Sequence, residues 1–239
     1  MTENKYKRVL LKLSGELFGE KSLDNSLIIT LAQSIAGILQ DTNVQLAIMN
    51  GGGNLFRGRD FTNRSHNVGM MHNVGMLGTV MNALVLQDKL LALDIDARVM
   101  SALPINDLCE PYIMMKALSH LNKGRTVLLA AGMGRTFFST DTAAAHRAVE
   151  TQADVLIKAT KVDGVYDSDP KQNIAAIKYD RLTFREAIDS RLMIMDATAF
   201  TFCQDNGIPV IVCDGNNLRE NVVRTIRGER VGTLMTNTR

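Results

Sequence analysis

Four segments of the sequence carry residues that could bind phosphate groups and support their transfer. The first, "KLSGE" (12–16), places Lys12 at the end of an apolar run, with Ser14 and Gly15 in the turn that follows. A lysine can neutralise phosphate charge, and glycine lets backbone N–H groups approach a bound anion closely. Taken alone, this pattern fits an ordinary strand end as well as it fits a phosphate site.

The second segment, "NGGGNLFRG" (50–58), follows another apolar run and precedes a helical pattern. A run of glycines usually indicates a flexible linker. Its position between a buried strand and a helix instead favours close contact with a ligand, because a polyphosphate could meet backbone amides and a helix N-terminus there. Gly52, Gly53 and Arg57 are the candidate contacts.

The third segment, "AAGMGRTFFSTDTAAA" (130–145), has Ser139, Thr140 and Asp141 at the predicted start of a helix. Hydroxyl groups at a helix N-terminus suit an anion. Thr140 or Asp141 is the predicted N-cap, and capping is the more common role for such residues. Asp141 could instead orient lysines and cations near a transferring group.

The fourth segment is "KATKVDGVYDSDP" (158–170), in which Thr160 ends a predicted strand. The Asp163-Gly164 pair predicts a tight turn. Tyr166 could stack on a nucleotide base, and Asp169 could accept hydrogen bonds from a ribose. A surface hairpin with a solvated carboxylate is the alternative.

The elements that must position these segments alternate along the chain. Short aliphatic runs predict buried strands at 8–14, 44–50, 97–103, 126–132, 154–160 and 208–213. Helical periodicity predicts helices at about 24–40, 75–95 and 140–153. This order predicts an α/β fold with a mainly parallel sheet covered on both faces, and ligands bind at the carboxyl ends of such strands. No repeat or linker interrupts it, so we expect a single domain, 1–239.

Composition narrows the class of protein. The chain has 239 residues, of which 46% are hydrophobic, and its net charge of +2 gives no reason to expect binding to nucleic acid. Its three cysteines have no CxxC spacing, which fits a reducing compartment. The polar N-terminus does not resemble a signal peptide, and we expect no apolar stretch to be long enough to cross a bilayer. We therefore expect a cytoplasmic protein without a membrane partner.

Several known phosphate-binding motifs are absent from the sequence. It contains no GxxxxGK[ST], no complete GxGxxG and no protein-kinase motif set. Several glycine loops with one lysine and one aspartate between them suit phosphoryl transfer between two small molecules. That reaction needs positioning and charge neutralisation rather than a dedicated nucleophile.

The four segments, together with "GMLGTVMNAL" (75–84), resemble the bacterial uridylate kinases (UMP kinases) of the amino acid kinase family. The resemblance runs in order from about Lys7 to "RVGTLMT" (230–236). It implies a three-layer αβα sandwich with a central, mainly parallel sheet. It also implies transfer of the ATP γ-phosphoryl group to UMP, with Mg²⁺ bound through the ATP phosphates and no metal ligands from the protein.

The resemblance assigns roles residue by residue. The implied catalytic residues are Lys12, Arg57 and Asp141. The implied ATP-binding residues are Lys12, Leu13, Ser14, Gly15, Gly53, Arg57, Thr160, Lys161, Tyr166 and Asp169. The implied UMP-binding residues are Gly52, His72, Met133, Gly134, Arg135, Thr136, Phe137, Phe138, Ser139 and Thr140. Asp196 is also a family position, with a core or capping role as the alternative.

The family pattern also implies a homohexamer, GTP as activator, UTP as inhibitor and a role in pyrimidine nucleotide synthesis. This chain departs from the pattern in three places. His72 stands where the family has an aspartate before the long helix, and Met133, Arg135 and Thr136 replace Thr, Asn and Pro. The loop after "KLSGE" lacks a glycine-rich insert that is linked to GTP activation.

Two alternatives to a UMP kinase remain open. A kinase of the same fold could have an altered acceptor, because the replacements cluster around the UMP segment. A nucleotide- or oxyanion-binding protein could have kept the fold and lost catalysis, although the presence of Lys12, Arg57, Asp141 and Asp169 argues against it.

Overall fold

The computed structural model describes residues 3–57, 66–170, 172–192 and 194–238, so Gly58 of the glycine-rich segment lies outside the described residues. The strands are Arg8–Leu13 (β1), Gln45–Asn50 (β2), Ala97–Ser101 (β3), Glu110–Pro111 (β4), Thr126–Ala130 (β5), Val155–Thr160 (β6), Val165–Tyr166 (β7), Lys178–Tyr179 (β8), Arg181–Thr183 (β9), Val210–Asp214 (β10) and Thr233–Thr236 (β11). The helices are Asn25–Thr42 (α1), Val68–Leu91 (α2), Met114–Asn122 (α3), Thr140–Glu150 (α4), Phe184–Asp189 (α5), Ala197–Asp205 (α6) and Leu218–Ile226 (α7), with a short 3-10 helix at Gly15–Phe18.

The strands form one central sheet in the order β4-β3-β5-β2-β1-β6-β10-β11-β9. Neighbouring strands from β4 to β10 are parallel, and β10 and β11 pair antiparallel. Strands β7 and β8 form a separate antiparallel hairpin. Each predicted strand is present, and the prediction of a mainly parallel sheet is confirmed.

Successive side chains along each strand point to opposite faces of the sheet, so the buried side chains form two hydrophobic cores, one on each face. Val9, Leu11 and Leu13 of β1 pack in one cluster with α1, α2 and α7. Leu10, on the opposite face, packs in a second cluster with α3, α4 and α6. Helices thus cover both faces of the sheet, as the predicted three-layer arrangement requires. By the same alternation, Lys12 lies on the face that α4 covers.

One predicted helix start and one predicted N-cap are wrong. Helix α2 begins at Val68 rather than near residue 75, because the side chain of Asn67 accepts a hydrogen bond from the backbone N–H of Met70 and caps it. In α4 the N-cap is Ser139, which accepts from the backbone N–H groups of Asp141 and Thr142. The carboxylate of Asp141 is therefore not engaged in capping and can face the strands.

The expectation that no apolar stretch could span a bilayer is wrong for α2. By length and composition alone, its 24 residues are enough to cross a bilayer. In the structure the helix instead packs on α1, β3 and β5, and the polar side chains of Thr79 and Asn82 are buried in its packed face. Packing in the sandwich accounts for the buried face of this apolar helix, whereas Met70, Leu77 and Met81 are exposed.

Candidate active site

The sheet order brings the four predicted segments to one edge. Strands β5, β2, β1 and β6 are consecutive neighbours and parallel, so their carboxyl ends lie side by side. The segments that follow these ends are the glycine loop after β2, the turn after β1, the β5–α4 loop and the segment after β6. The edge therefore collects the glycine loops and the charged side chains into a single site.

A cluster of two lysines and one aspartate occupies the centre of this edge. Lys12 and Lys158 are cross-strand neighbours in β1 and β6. The Nζ of Lys12 lies 3.0 Å from Oδ1 of Asp141, and the Nζ of Lys158 lies 2.8 Å from its Oδ2. Lys158 also donates to the backbone carbonyl of Ile194. One carboxylate on α4 thus fixes two ammonium groups.

Burial and charge act against each other in this cluster. Burial by itself would raise the pKa of Asp141, but the charges of Lys12 and Lys158 outweigh it and hold the pKa below its ordinary value of 3.8. The pKa of Lys158 is lowered by burial and by the charge of Lys12, against the opposing effect of Asp141. Two ammonium groups thus face the carboxylate of Asp141, and the charge of Asp196 also acts on Lys158. Phosphate oxygens bound beside Lys12 and Lys158 would supply further counter-charge.

The turn after β1 and the glycine loop after β2 approach each other at backbone distance. A Cβ atom at Gly15 would lie 2.8 Å from the backbone nitrogen of Gly53 and 2.8 Å from Oδ1 of Asn54. The backbone N–H of Gly51 donates to the carbonyl of Leu13 at 2.9 Å. Only glycine fits at position 15. The turn 14–16 and the loop 51–54 therefore pack directly on each other, and we call the surface that they form the glycine wall. It is not a flexible linker.

The predicted contact between the glycine loop and a helix N-terminus is wrong. Helix α2 starts at Val68, and its middle turns lie against the loop instead. A Cβ atom at Gly52 would lie 2.8 Å from the carbonyl oxygen of Gly75 and 2.9 Å from the backbone nitrogen of Thr79. The backbone amides of the loop, rather than a helix dipole, are what it can offer to phosphate.

Buried amide side chains hold the glycine loop in place. Asn82, which is fully buried on α2, donates to the carbonyl of Gly51 at 2.7 Å and to Oδ1 of Asn54 at 2.8 Å. Asn54 returns a hydrogen bond to Asn82 at 3.1 Å, and Asn50 donates to the carbonyl of Thr79 at 2.8 Å. Sequence analysis did not assign this network, although a lone Asn82 in an apolar helix was a signal for it.

Replacing Asn82 with alanine is expected to lower the free energy of unfolding by about 2 kcal/mol, because two buried hydrogen-bonding groups lose their partner. The loosened glycine loop should also raise KM for phosphate-bearing substrates. Chemical denaturation and steady-state kinetics measure both effects. The matched control is Asn25→Ala, which makes the same replacement at an exposed position of α1. Equal stability of the two variants would contradict the role given to the network.

Arg57 lies beside the wall in an ion pair. Its Nη2 lies 2.5 Å from Oε1 of Glu16, and its Nε donates to the carbonyl of Gly53 at 3.1 Å. Lys161 lies 3.5 Å from the other oxygen of Glu16. Burial would raise the pKa of Glu16, but Arg57 and Lys161 lower it overall. Phosphate oxygens would have to compete with Glu16 for both cations.

A cavity of about 500 Å³ extends from the end of β6 and is lined by Thr160, Tyr166, Asp169 and Lys158. This volume lies within the range of small-molecule sites. The hydroxyl of Tyr166 donates to Asp163 at 2.7 Å. Three of the predicted nucleoside contacts thus share one cavity, whereas Lys161 faces Glu16 outside it.

The β5–α4 loop, which holds Met133, Gly134, Arg135, Thr136, Phe137, Phe138 and Ser139, has an unusual backbone. Ala131 and Phe137 have positive φ values of 60° and 68°. A Cβ atom at Gly134 would lie 2.7 Å from the carbonyl oxygen of Ala102. Left-handed conformations in residues other than glycine are strained and cluster at binding sites.

The first turns of α2 pack against this loop. The rings of His72 and Phe137 are 4.7 Å apart between centroids, and His72 lies inside the helix rather than before it. Phe137 and Phe138 are 68% and 48% exposed, and Arg135 is exposed beside them. The predicted acceptor residues are therefore brought together, with Thr140 as the first residue of α4.

Asp196 has the capping role that the sequence gave as one alternative. It caps α6 by accepting from the backbone N–H of Ala199 at 2.9 Å. It also accepts from the hydroxyls of Ser139 and Thr142, the latter at 2.6 Å. Asp196 thereby ties the start of α6 to the start of α4, which carries Asp141.

Lys158 was not among the predicted site residues, although it shares Asp141 with Lys12. The available signal was a lysine within a buried strand, because both Lys12 and Lys158 interrupt otherwise apolar runs.

Comparisons with known proteins identify the family of this chain. Residues 7–214 match the sequence profile of the amino acid kinase family. The chain is 47% identical over 234 residues to a uridylate kinase from a Nocardioides species, covering 97% of this chain and 98% of the relative. The fold is similar to the UMP kinase of Bacillus anthracis, with a TM-score of 0.91 and 33% identity over 98% of this chain and 97% of that one. It is also similar to the UMP kinase of Ureaplasma parvum, with a TM-score of 0.88 and 30% identity over 97% and 99% of the two chains.

Proposed function

The chain belongs to the amino acid kinase family, and from this premise we propose that it is a UMP kinase that transfers the γ-phosphoryl group of ATP to UMP. The observation that carries the proposal is the cluster of Lys12, Asp141 and Lys158, which lies between the cavity at the end of β6 and the β5–α4 loop. Relatives named as uridylate or UMP kinases support this choice of acceptor.

The reaction needs no general base from the protein. A phosphate oxygen of UMP, already ionised near neutral pH, attacks the γ-phosphorus of ATP while the bond from that phosphorus to the β–γ bridging oxygen breaks. ADP leaves and UDP forms. Lys12 and Lys158 neutralise charge on the transferring group, and Asp141 holds both ammonium groups in position.

The donor is assigned to the side of β1 and β6. The cavity lined by Thr160, Tyr166 and Asp169 would hold the nucleoside of ATP. The backbone of Leu13, Ser14, Gly15 and Gly53, with Arg57 and Lys161, would hold its phosphates. Glu16 holds both of these cations beside the glycine wall. The ATP phosphates would either share the two cations with Glu16 or displace its carboxylate from them.

The acceptor is assigned to the side of β2 and β5. Gly52 and the loop from Met133 to Thr140 would hold UMP, with His72 at its ribose. The contact between His72 and Phe137 supports a common pocket for the helix and the loop. Asp196 would act indirectly, by fixing Ser139.

Mg²⁺ is expected to arrive on the phosphates of ATP and to neutralise part of their charge. Among the described residues, no group of three or more His, Cys, Asp and Glu side chains could hold a metal ion. The carboxylate of Asp141 is already shared by two lysines. Because both oxygens of Asp141 face lysines, we expect the metal to be held mainly by substrate phosphates and water.

We further propose a cytoplasmic homohexamer formed from single domains of residues 1–239, with a role in pyrimidine nucleotide synthesis and with GTP and UTP as candidate effectors. Exposed Met70, Leu77 and Met81 on α2 support an interface between copies. Burial raises the pKa of the Cys203 and Cys213 thiols to about 12, which makes them unreactive and fits a reducing compartment.

A coupled assay of ADP release across UMP, CMP and dTMP tests the proposed acceptor. We expect kcat/KM with UMP to exceed that with the other two by at least about tenfold, since a pocket that hydrogen-bonds a base rejects analogues with other edges. ADP release that is fastest with CMP or dTMP would support the alternative of a kinase with the same fold and a different acceptor. ATP binding without transfer to any of them would support a binding protein.

The Arg135→Asn variant tests the exposed cation of the acceptor loop. We expect its KM for UMP to rise by roughly threefold to tenfold with little change in kcat, because a solvent-screened charge contributes about 1 kcal/mol to binding a phosphate. Arg185→Ala, an 83% exposed arginine on α5, is the control and should behave as the wild type. An unchanged KM in the Arg135 variant would remove this residue from the acceptor site.

A further inference from the structure

A second cavity, of about 730 Å³, lies apart from the candidate active site. It is lined by the segment before β1, by β8 and β9, by the end of α7 and by the loop 228–232. It shares no lining residue with the cavity at the end of β6. The two strands of the β7–β8 hairpin thus contribute to different cavities, Tyr166 to the first and Lys178 with Tyr179 to the second.

The charges that line this cavity are mostly positive and not neutralised. Within the described part of the chain, Lys5, Arg181 and Arg230 have no carboxylate at ion-pair distance, and Lys5 instead lies over the ring of Tyr6 at 5.1 Å. Of the two carboxylates in the lining, Glu229 is held by Arg224 at 2.7 Å, which leaves Asp180. Three unpaired cations therefore face one unpaired carboxylate.

Thr225 adds an unsatisfied polar group to the same wall. It is 1% exposed and lines the cavity, and its hydroxyl has no hydrogen-bond partner among the described residues. By contrast, Thr30 in α1 and Thr201 in α6 donate to the carbonyl one turn earlier, both at 3.0 Å. A buried hydroxyl without a partner is costly, so one that borders a cavity indicates a missing ligand or water.

We propose that this cavity is a second ligand site, and that it binds a small polyanion carrying two or more phosphate groups. A guanidinium group can bind two phosphate oxygens at once. Two guanidinium groups and a lysine therefore match a ligand with several phosphates better than a ligand with a single carboxylate. The cavity volume suits a small molecule. The site does not rest on the proposed function, because no residue of the candidate active site takes part in it.

The hairpin connects the new site to the donor side. Lys178, which lines the second cavity, lies 2.9 Å from Oδ2 of Asp163. The other oxygen of Asp163 accepts a hydrogen bond from Tyr166, which lines the first cavity. A polyanion that draws Lys178 away from Asp163 would therefore loosen Tyr166.

Hydrogen–deuterium exchange with inorganic tripolyphosphate as the probe tests the site. In the wild type, tripolyphosphate should protect backbone amides in 225–234. The Arg181→Ala/Arg230→Ala variant should need at least about tenfold more tripolyphosphate for the same protection, and the corresponding double lysine variant should recover part of the affinity. Arg185→Ala, outside the cavity, should match the wild type.

Protection of residues 12–16 and 51–57 in the same experiment reports on the donor site separately. It should be unchanged in the double alanine variant, which also shows that the variant is folded. Absence of protection in 225–234 of the wild type, or equal protection there in the double alanine variant, would overturn the second site. Loss of the donor signal alone would count against the proposed function and leave the second site standing.

Discussion

Replacing Lys12 with alanine is expected to reduce kcat by roughly 10²–10³-fold, which is the usual cost of removing one preorganised charge from a phosphoryl-transfer or oxyanion site. The Lys12 ammonium lies at the end of β1, beside the glycine wall, where charge develops during transfer. The variant should still fold, because Asp141 keeps its ion pair with Lys158 at 2.8 Å. Steady-state turnover with ATP and UMP, together with thermal unfolding, measures both effects.

The control for this experiment is Lys123→Ala, which removes an exposed lysine at the end of α3. It should leave turnover unchanged. Wild-type turnover in the Lys12 variant would contradict the catalytic assignment of Lys12, whatever the acceptor.

The Asp141→Asn variant should lose both activity and stability. Lys12 and Lys158 have side chains that are only 8% and 9% exposed, and Asp141 lies at ion-pair distance from both. Removing one partner of a buried ion pair typically costs about 3 kcal/mol or more of unfolding free energy. Activity should fall as well, because the two ammonium groups would repel each other out of position.

The stability difference should depend on pH with a definite sign. The folded pKa of Asp141 is lowered, so its carboxylate stabilises the protein fully at pH values above its ordinary pKa of 3.8. That contribution is lost as the pH falls through the lowered value. Denaturation of wild type and variant between neutral and acid pH should show a constant gap that narrows only below 3.8. The exposed Asp205→Asn is the matched control. A gap that is absent near neutral pH would show that Asp141 does not hold the lysines.

Much of the fold and of the candidate site could be predicted because the buried strands are short, apolar and evenly spaced. Their order requires a parallel sheet, and the parallel sheet brings the segments after β1, β2, β5 and β6 to one edge. The residues that cap the helices were less predictable. Asn67 and Ser139 cap their helices with side-chain hydrogen bonds that several neighbouring polar residues could equally have made.

The missed residues depend on contacts between distant parts of the chain. Lys158 meets Asp141 only because β6 pairs with β1 in a register that puts Lys158 beside Lys12. Asn82 supports the glycine loop only because Gly52 and Gly78 let the loop and α2 approach each other closely. Local sequence patterns do not encode register or helix approach, so these roles emerged only from the three-dimensional structure.

The most direct test of the proposed reaction follows the γ-phosphoryl group itself. Purified protein would be incubated with Mg²⁺, UMP and ATP labelled at the γ-phosphate, and the products separated and identified by ³¹P NMR. The predicted result is that the label appears in the β-phosphate of UDP at the rate at which ADP forms, and that this transfer is lost in Lys12→Ala. Label released as inorganic phosphate, or retained in ATP while UMP stays unchanged, would contradict the account.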